Sequence, residues 1–343
     1  MAEVLIVADD LTGALDSAVP FANRRGRVLV ARTPAGLPAA LASGAEVVSV
    51  STGSRDGSEE AARKALHEVR QAIRNEPAIL FKKIDSRLKG HIQAELDTLL
   101  HGYPALLVSP ALPALGRLCI DRRVTGAGVE TPIPVAERIG RPATIPEIRS
   151  DADLDAALPG DLAGCVYVGA AGLAAALARR LRPNRPAPPD LDLPGPALLA
   201  IGSRDPVTGA QVAMLRQIPV HDAPNGEAGD LPRAPVLLLR MTQGSGPAEP
   251  GIAGAAFARS ALRGLVHLSA RTIFACGGES ANAILGGMGV EHLTVLGEIL
   301  PGVPAATAEY HGQTVTVVTK SGGFGAADTL VRLVGRIMPG APH

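Results

Sequence analysis

Tryptophan is missing from this 343-residue chain and aromatic side chains make up only 2% of it, so the stacking platforms that bind single-stranded nucleic acid are not available. A surplus of charge of one sign is missing too. Lysine plus arginine number 33, aspartate plus glutamate also 33, and no global field exists to hold a polyanion, so a charged ligand must be met locally. Cysteine is scarce: Cys119, Cys165 and Cys276 are odd in number, far apart and without CxxC spacing, which argues against a disulfide framework or a zinc knuckle and fits a reducing cytosol. No basic segment or cleavage site precedes the first apolar run, Glu3-Val-Leu-Ile-Val-Ala-Asp9, and a signal peptide is not expected. The longest uncharged stretch, Leu162 to Ala178, is interrupted by Gly164, Gly169 and Gly172 and is rich in alanine, so it reads as strand, turn and buried helix, not as a membrane span. The eight histidines show neither HExxH nor paired spacing, and no GxSxG elbow occurs, so hydrolase chemistry is not suggested.

What is present is apolar bulk in a repeating order. A hydrophobic content of 46% over this length exceeds what one core usually takes up, and two domains are expected. Short β-rich runs at Val4 to Ala8, Val28 to Ala31, Val47 to Val50, Ile79 to Ile84 and Ala105 to Val108 alternate with helical patterns at Ala14 to Asn23, Leu37 to Ala42, Ser58 to Arg74 and Leu88 to Leu100. Ser58 followed by Glu59 and Glu60 reads as an N-cap. Right-handed crossovers then give a parallel sheet. From about Arg122 to Pro196 the pattern reads as loops until a strand resumes at Cys165 to Val168, and the proline- and arginine-rich stretch from Arg179 to Pro196 marks the boundary. Further strands are expected at Ala197 to Ile201, Val236 to Leu239, Thr272 to Ala275 and Thr314 to Val318. The domains are therefore drawn at 1–185 and 196–343, with 186–195 as linker.

Ligands of such sheets bind beyond the carboxyl ends of the strands. Those positions carry Asp9 and Asp10 after the first strand, Thr52, Ser54 and Arg55 after the third, Lys83, Asp85 and Ser86 at the fourth, and Ser109 at the fifth. One carboxylate at Asp9-Asp10 is accounted for by capping the next helix; the second suggests substrate hydroxyls, a metal or a general base. In Lys82-Lys83, strand alternation sends the two side chains to opposite sides, and Arg55 and Arg117 can join a lysine in binding a carboxylate. In the second half, three strand-to-helix joints are built of small residues: Gly202-Ser203, Cys276-Gly277-Gly278-Glu279-Ser280 and Lys320-Ser321-Gly322-Gly323-Phe324-Gly325. Small side chains let backbone N–H groups approach an oxyanion, so convergence of the three favours a phosphorylated ligand. Neither GxGxxG in the correct setting nor GxxxxGK[ST] is found, which sets aside a Rossmann dehydrogenase and a P-loop kinase. Lys320 precedes its glycines, so a solvated strand-end lysine stands as its alternative, just as helix capping does for Glu279.

Ala8-Asp-Asp-Leu-Thr-Gly-Ala-Leu-Asp16 resembles the opening motif of the four-carbon acid sugar kinases. Lys82-Lys-Ile-Asp-Ser-Arg-Leu-Lys-Gly90, Pro110-Ala-Leu-Pro-Ala-Leu-Gly-Arg117, Gly169-Ala-Ala-Gly-Leu173, Cys276-Gly-Gly-Glu-Ser280, Gly297-Glu-Ile-Leu-Pro-Gly302 and Lys320-Ser-Gly-Gly-Phe-Gly325 continue the likeness in order over nearly the whole chain. The resemblance implies an α/β protein of two domains, each a largely parallel sheet flanked by helices, with the active-site cleft between them. It implies an ATP-dependent kinase acting with Mg2+ on a threonate-, erythronate- or 3-oxo-tetronate-like acid, with no nucleic-acid or membrane partner; a homodimer is carried as an expectation. Asp10 is the preferred general base, with Asp9 and Asp85 competing. Ser54, Arg55, Lys83, Ser86 and Arg117 would face the acid, and Ser203, Gly277, Gly278, Glu279, Ser280, Ser321, Gly322 and Gly323 the ATP; metal ligands are left unassigned. Where the family reads Asp-Ser-Thr-Leu-Arg-Gly, this chain has Asp85-Ser-Arg-Leu-Lys-Gly90, and the segment from Gln211 to Thr272 is short. A binding protein that has lost turnover is the alternative.

Overall fold

A computed structural model describes residues 2–22, 27–100, 105–183, 191 and 193–339. The chain forms two compact units, Met1–Pro188 and Pro189–His343. The expected linker, 186–195, falls largely outside the described residues, as does Asn23 at the expected end of the first helix.

The first unit is built on a parallel sheet in the order β2-β3-β1-β4-β9-β5, from β1 (Val4–Ala8), β2 (Val28–Ala31), β3 (Val47–Ser51), β4 (Ile79–Lys83), β5 (Ala105–Ser109) and β9 (Cys165–Gly169). β1 to β4 are buried along their whole length, as expected of strands covered on both faces. The crossovers are α1 (Leu11–Ala22), α2 (Leu37–Ala42), α3 (Glu59–Ala72) and α4 (Ile92–Leu99). Ser58 does cap α3, its hydroxyl accepting from the N–H of Ala61 at 3.2 Å, and the helix buries Ala62, Leu66 and Val69 at helical spacing. α4 starts four residues later than the sequence pattern suggests. Leu88 (φ 57°) and Gly90 (φ 87°) are left-handed and cannot belong to a right-handed helix.

The middle stretch, read from sequence as loops, holds more structure. Strands β6 (Arg117–Ile120), β7 (Arg123–Gly126) and β8 (Ile133–Pro134) form a small antiparallel sheet, followed by α5 (Val135–Ile139) and α6 (Asp151–Ala157). Each piece is too short to show a period. α7 (Ala171–Leu181) follows β9, so the uncharged stretch is indeed strand, turn and helix. Among the described residues no helix is long and apolar enough to cross a membrane.

The second unit has β11 (Val220–Pro224), β12 (Val236–Thr242), β10 (Ala197–Ile201), β13 (Thr272–Cys276) and β16 (Gln313–Lys320) side by side and parallel, extended by antiparallel β15 (Val303–Tyr310) and β14 (His292–Leu300). The β14–β15 hairpin was not anticipated: Gly297 and Pro304 interrupt its β character, and its register shifts within the pairing. Helices α8 (Pro206–Met214), α9 (Pro250–Leu268), α10 (Gly278–Gly287) and α11 (Thr329–Ile337) complete the unit. α9 lies in the short segment left unassigned; Pro250 opens it and the Glu249 carboxylate accepts from the N–H groups of Gly251 and Ile252. Leu199, Leu238, Phe274, Val318, Leu330 and Leu333 are among the residues of a continuous core.

In each unit two adjacent strands send their connections in opposite directions, β1 and β4 in the first and β10 and β13 in the second, and such a switch point is where ligands of these sheets bind, beyond the carboxyl ends. Those ends carry the residues singled out above. Phe274, in the middle of β13, is fully buried in the core of the second unit; Phe274→Ala is expected to cost about 3–5 kcal/mol, measured as an earlier urea midpoint for the second unit.

Candidate functional site

At the end of β1, Asp9 is buried and Asp10 half-buried. Asp10 caps α1: its Oδ1 accepts from the Gly13 N–H at 2.8 Å and its Oδ2 from the Thr12 hydroxyl at 2.6 Å. Arg55, arriving from the loop after β3, grips both carboxylates. Its Nε and Nη2 donate to Asp9 Oδ2 and Oδ1 at 2.9 and 2.7 Å, and its Nη1 and Nη2 to Asp10 Oδ2 and Oδ1, each at 2.8 Å. Burial works against the charge of Asp9, but the adjacent guanidinium, helped by Lys82 and Lys83, outweighs it and holds the carboxyl below its ordinary 3.8. For Arg55 burial is likewise the largest single effect, and the two aspartates overcome it, raising its pKa further. All four lone-pair directions of Asp10 are thereby filled.

The two lysines at the end of β4 do part. Lys82 is wholly buried and its ammonium lies 3.0 Å from Oε2 of Glu95, itself buried on α4, while donating to the carbonyl of Lys83 at 3.0 Å. The other oxygen of Glu95 accepts a short hydrogen bond from Ser54, whose hydroxyl is paired with Thr52 at 2.8 Å. Sequence reasoning missed Glu95; the available signal was a carboxylate on the apolar stripe Ile92, Leu96, Leu99 of α4. Lys83 is turned the other way, towards the start of α1, so that a Cβ added to Gly13 would lie 2.9 Å from its Nζ. It is 6% exposed, and among the described residues no hydrogen bond or ion pair reaches its ammonium.

After β4 the chain turns through Asp85, which accepts from the N–H of Arg87 at 2.9 Å and makes no ion pair among the described residues. Arg117, at the start of β6, is buried with no carboxylate partner. Its Nη1 donates to the Ser86 hydroxyl at 2.5 Å, and its Nε and Nη2 to the carbonyl of Ala127 at 3.1 and 2.9 Å. Burial, and then the nearby Arg87, lower its pKa, with Asp85 acting against them. Arg87 and Lys89 themselves are exposed. The first unit thus carries two sheltered cations, Lys83 and Arg117, that no carboxylate of the described residues neutralises directly.

In the second unit the three small-residue joints meet. The N–H groups of Gly202 and Ser203 donate to the Cys276 carbonyl at 3.1 and 3.2 Å, and that of Gly277 to the Lys320 carbonyl at 3.0 Å. Gly277 is left-handed (φ 102°), and a Cβ on Gly322 would collide with the Ser203 hydroxyl, so these loops pack through missing side chains. α10 begins at Gly278 without a side-chain cap, and among the described residues the N–H groups of Gly278, Glu279 and Ser280 meet no acceptor. Ser280 is buried against Gly202, whereas Glu279 is exposed; Ser321 and Gly322 are half-buried and Gly323 exposed. The solvated reading of Lys320 is corrected: it is 1% exposed, and its ammonium donates to the Thr208 hydroxyl at 3.1 Å and to the carbonyls of Ser321, Gly322 and Phe324 at 3.1, 3.3 and 3.0 Å. Cys276 is a small buried residue whose sulfur lies 3.4 Å from Thr208. Among the described residues no cluster of three metal-ligating side chains occurs.

Comparison with known proteins follows the same division. Residues 4–152 match the family described as Sugar-binding N-terminal domain, and residues 238–330 that described as Nucleotide-binding C-terminal domain. The chain is 30% identical to a D-threonate kinase of Bordetella bronchiseptica, covering 95% of each, and 30% identical to a D-threonate kinase of Cupriavidus necator, covering 95% of this chain and 96% of that one. The first of these alignments runs over 401 positions although this chain has 343 residues, so the relative has insertions that this chain lacks. A D-erythronate kinase of Heliobacterium modesticaldum is 33% identical over 35% of this chain and 28% of its own. Among solved structures, a Haemophilus influenzae protein shares the fold with a TM-score of 0.69 at 18% identity over 96% of this chain and 99% of its own.

Two outcomes test the electrostatics. Lys82→Met strands Glu95 in the interior and is expected to cost about 3–5 kcal/mol, whereas Lys82→Met with Glu95→Leu recovers most of it in urea titrations. The carboxyl of Asp9 is depressed, so its stabilisation is complete above its ordinary 3.8 and is lost as pH falls through the lower folded value. Asp9→Asn is therefore expected to be less stable at neutral pH and to lose less on acidification, measured by circular dichroism across pH 2–7.

Proposed function

The chain belongs to the four-carbon acid sugar kinase family, and from that premise we propose that it transfers the γ-phosphoryl group of ATP to a hydroxyl of a four-carbon sugar acid of the threonate, erythronate or 3-oxo-tetronate type. The observation that carries the reading is the pair of sheltered cations, Lys83 at the end of β4 and Arg117 at the start of β6, in the unit that matches a sugar-binding domain. A monoanionic carboxylate matches both the planar fork of a guanidinium and the point charge of an ammonium. The D-threonate kinases that this chain resembles along its length support the choice of acid.

Phosphoryl transfer demands positioning, charge neutralisation and a group to receive the hydroxyl proton. The acceptor oxygen forms a bond to the γ-phosphorus, the bond to the β,γ-bridging oxygen breaks, and ADP leaves with the electron pair. Asp10 has its lone pairs committed to Arg55, Thr12 and Gly13, and Asp9 is clamped by Arg55. Asp85 retains an oxygen with no hydrogen bond among the described residues, so we assign it the proton. The convergent loops of the second unit supply unpaired N–H groups of the kind that receive nucleotide phosphates. Magnesium in such transfers is held mostly by phosphate oxygens with one or two carboxylates. The donor set fits that mode: Asp205, whose Oδ2 lies 3.1 Å from where a Cβ of Gly323 would be, would contribute one ligand, and the ion would offset phosphate charge.

Incubation with ATP, magnesium and a panel of four- and five-carbon sugar acids is expected to release ADP only with an acid present. Asp85→Asn should lower kcat by about 10^2- to 10^4-fold with little change in KM, and Lys83→Met should chiefly raise KM for the acid. Ligand-induced thermal stabilisation without any phosphorylated product would sink the kinase reading in favour of a binding protein.

A further inference from the structure

Lys320 is the most deeply buried charge of the second unit, and the transfer reaction described above makes no use of it. Its ammonium faces the carbonyls of Ser321, Gly322 and Phe324. Each of these is held a second time: the Phe324 N–H donates to the Ser321 carbonyl at 3.1 Å, the Thr208 hydroxyl to the Gly322 carbonyl at 2.6 Å, and the Gln211 amide to the Phe324 carbonyl at 3.1 Å and to that of Ala326 at 2.9 Å. A trans peptide points its N–H opposite to its C=O. Drawing in the carbonyls of residues 321, 322 and 324 therefore turns the N–H groups of Gly322, Gly323 and Gly325 away from the ammonium. None of these three meets an acceptor among the described residues. Gly325 (φ 90°) and the close approach of Ser203 to Gly322 leave room for little but glycine.

We propose that Lys320 is the positioning residue of the phosphate cradle: a buried cation that gathers loop carbonyls on one side and so presents a row of N–H donors on the other to a polyphosphate. Its three protons are shared among four protein oxygens, so it acts through the backbone and does not touch the ligand. In a P-loop, by contrast, the lysine follows the glycines and reaches the phosphates itself. The inference rests on the nucleotide reading of the second unit, and it names the part of the ligand concerned, the phosphate chain.

The test measures binding of ATP, inorganic tripolyphosphate and adenosine to the full chain by calorimetry, for the wild type, Lys320→Met and Thr208→Val. Lys320→Met is expected to weaken ATP and tripolyphosphate by about 10- to 100-fold, the loss of one or more charge-assisted hydrogen bonds, with adenosine affinity unchanged. Thr208→Val keeps the ammonium and removes one of the two groups holding the Gly322 carbonyl, so a several-fold loss confined to the phosphate-bearing probes is expected. It also serves if Lys320→Met does not fold. Wild-type affinity for ATP in a folded Lys320→Met, or equal losses for adenosine and ATP, would overturn the proposal. An unaffected Thr208→Val would overturn it too, because charge alone would then be at work. A wild type that binds tripolyphosphate through Lys320 but not ATP would refute the nucleotide reading while leaving the cradle standing; binding of neither would refute both.

Discussion

Two carboxylates side by side at the end of a buried strand repel each other and are costly to desolvate, and a cation shared between them offsets both costs. Arg55 meets that constraint for Asp9 and Asp10 with four hydrogen bonds, and much of the first unit's strand-end geometry follows. The guanidinium ties the loop after β3 to the end of β1, and Asp10, held in place, caps α1. With Arg55 spent on the aspartates, Lys83 and Arg117 remain uncompensated by any direct ion pair among the described residues. Had Arg55 been free, the balance of charge at these strand ends would favour a cation instead of an acid.

The buried lysines show how burial alone does not assign a role. Lys82 answers Glu95 and stitches β4 to α4. Lys320 answers a hydroxyl and three carbonyls and shapes a loop. Lys83, nearly as buried, makes no hydrogen bond or ion pair among the described residues and reaches Asp9 only through its charge. A desolvated ammonium without a partner is unfavourable in the absence of ligand, and that unfavourable arrangement is what distinguishes a binding group from a structural one.

Much of this was legible in advance. The parallel strands with both faces covered announced themselves as short β-rich runs, whereas the largely exposed edge strand β11 did not, and the polar residues immediately after the covered strands located the sheet edge where ligands bind. The small-residue joints after β10, β13 and β16 were expected to converge, and they do, because neighbouring parallel strands deliver their carboxyl ends to one edge. Glu95 was overlooked because a single carboxylate on an apolar stripe does not disturb the period. The antiparallel additions, β6 to β8 and β14–β15, were overlooked because their segments are short or interrupted by glycine and proline, and their pairing is settled by neighbours distant in sequence.

By itself, then, the sequence determined the two-unit α/β plan, the strands with both faces buried and the chemical character of each strand end, since these depend on local periodicity and composition. Only the tertiary structure decided which charges answer one another: that Arg55 takes both aspartates, that Lys82 and Lys83 part, and that Lys320 lies beneath its loop. Local pattern says that a charge is present. Its role depends on what else folding brings within hydrogen-bonding reach, and those partners lie from 13 positions away, for Lys82 and Glu95, to 112, for Lys320 and Thr208.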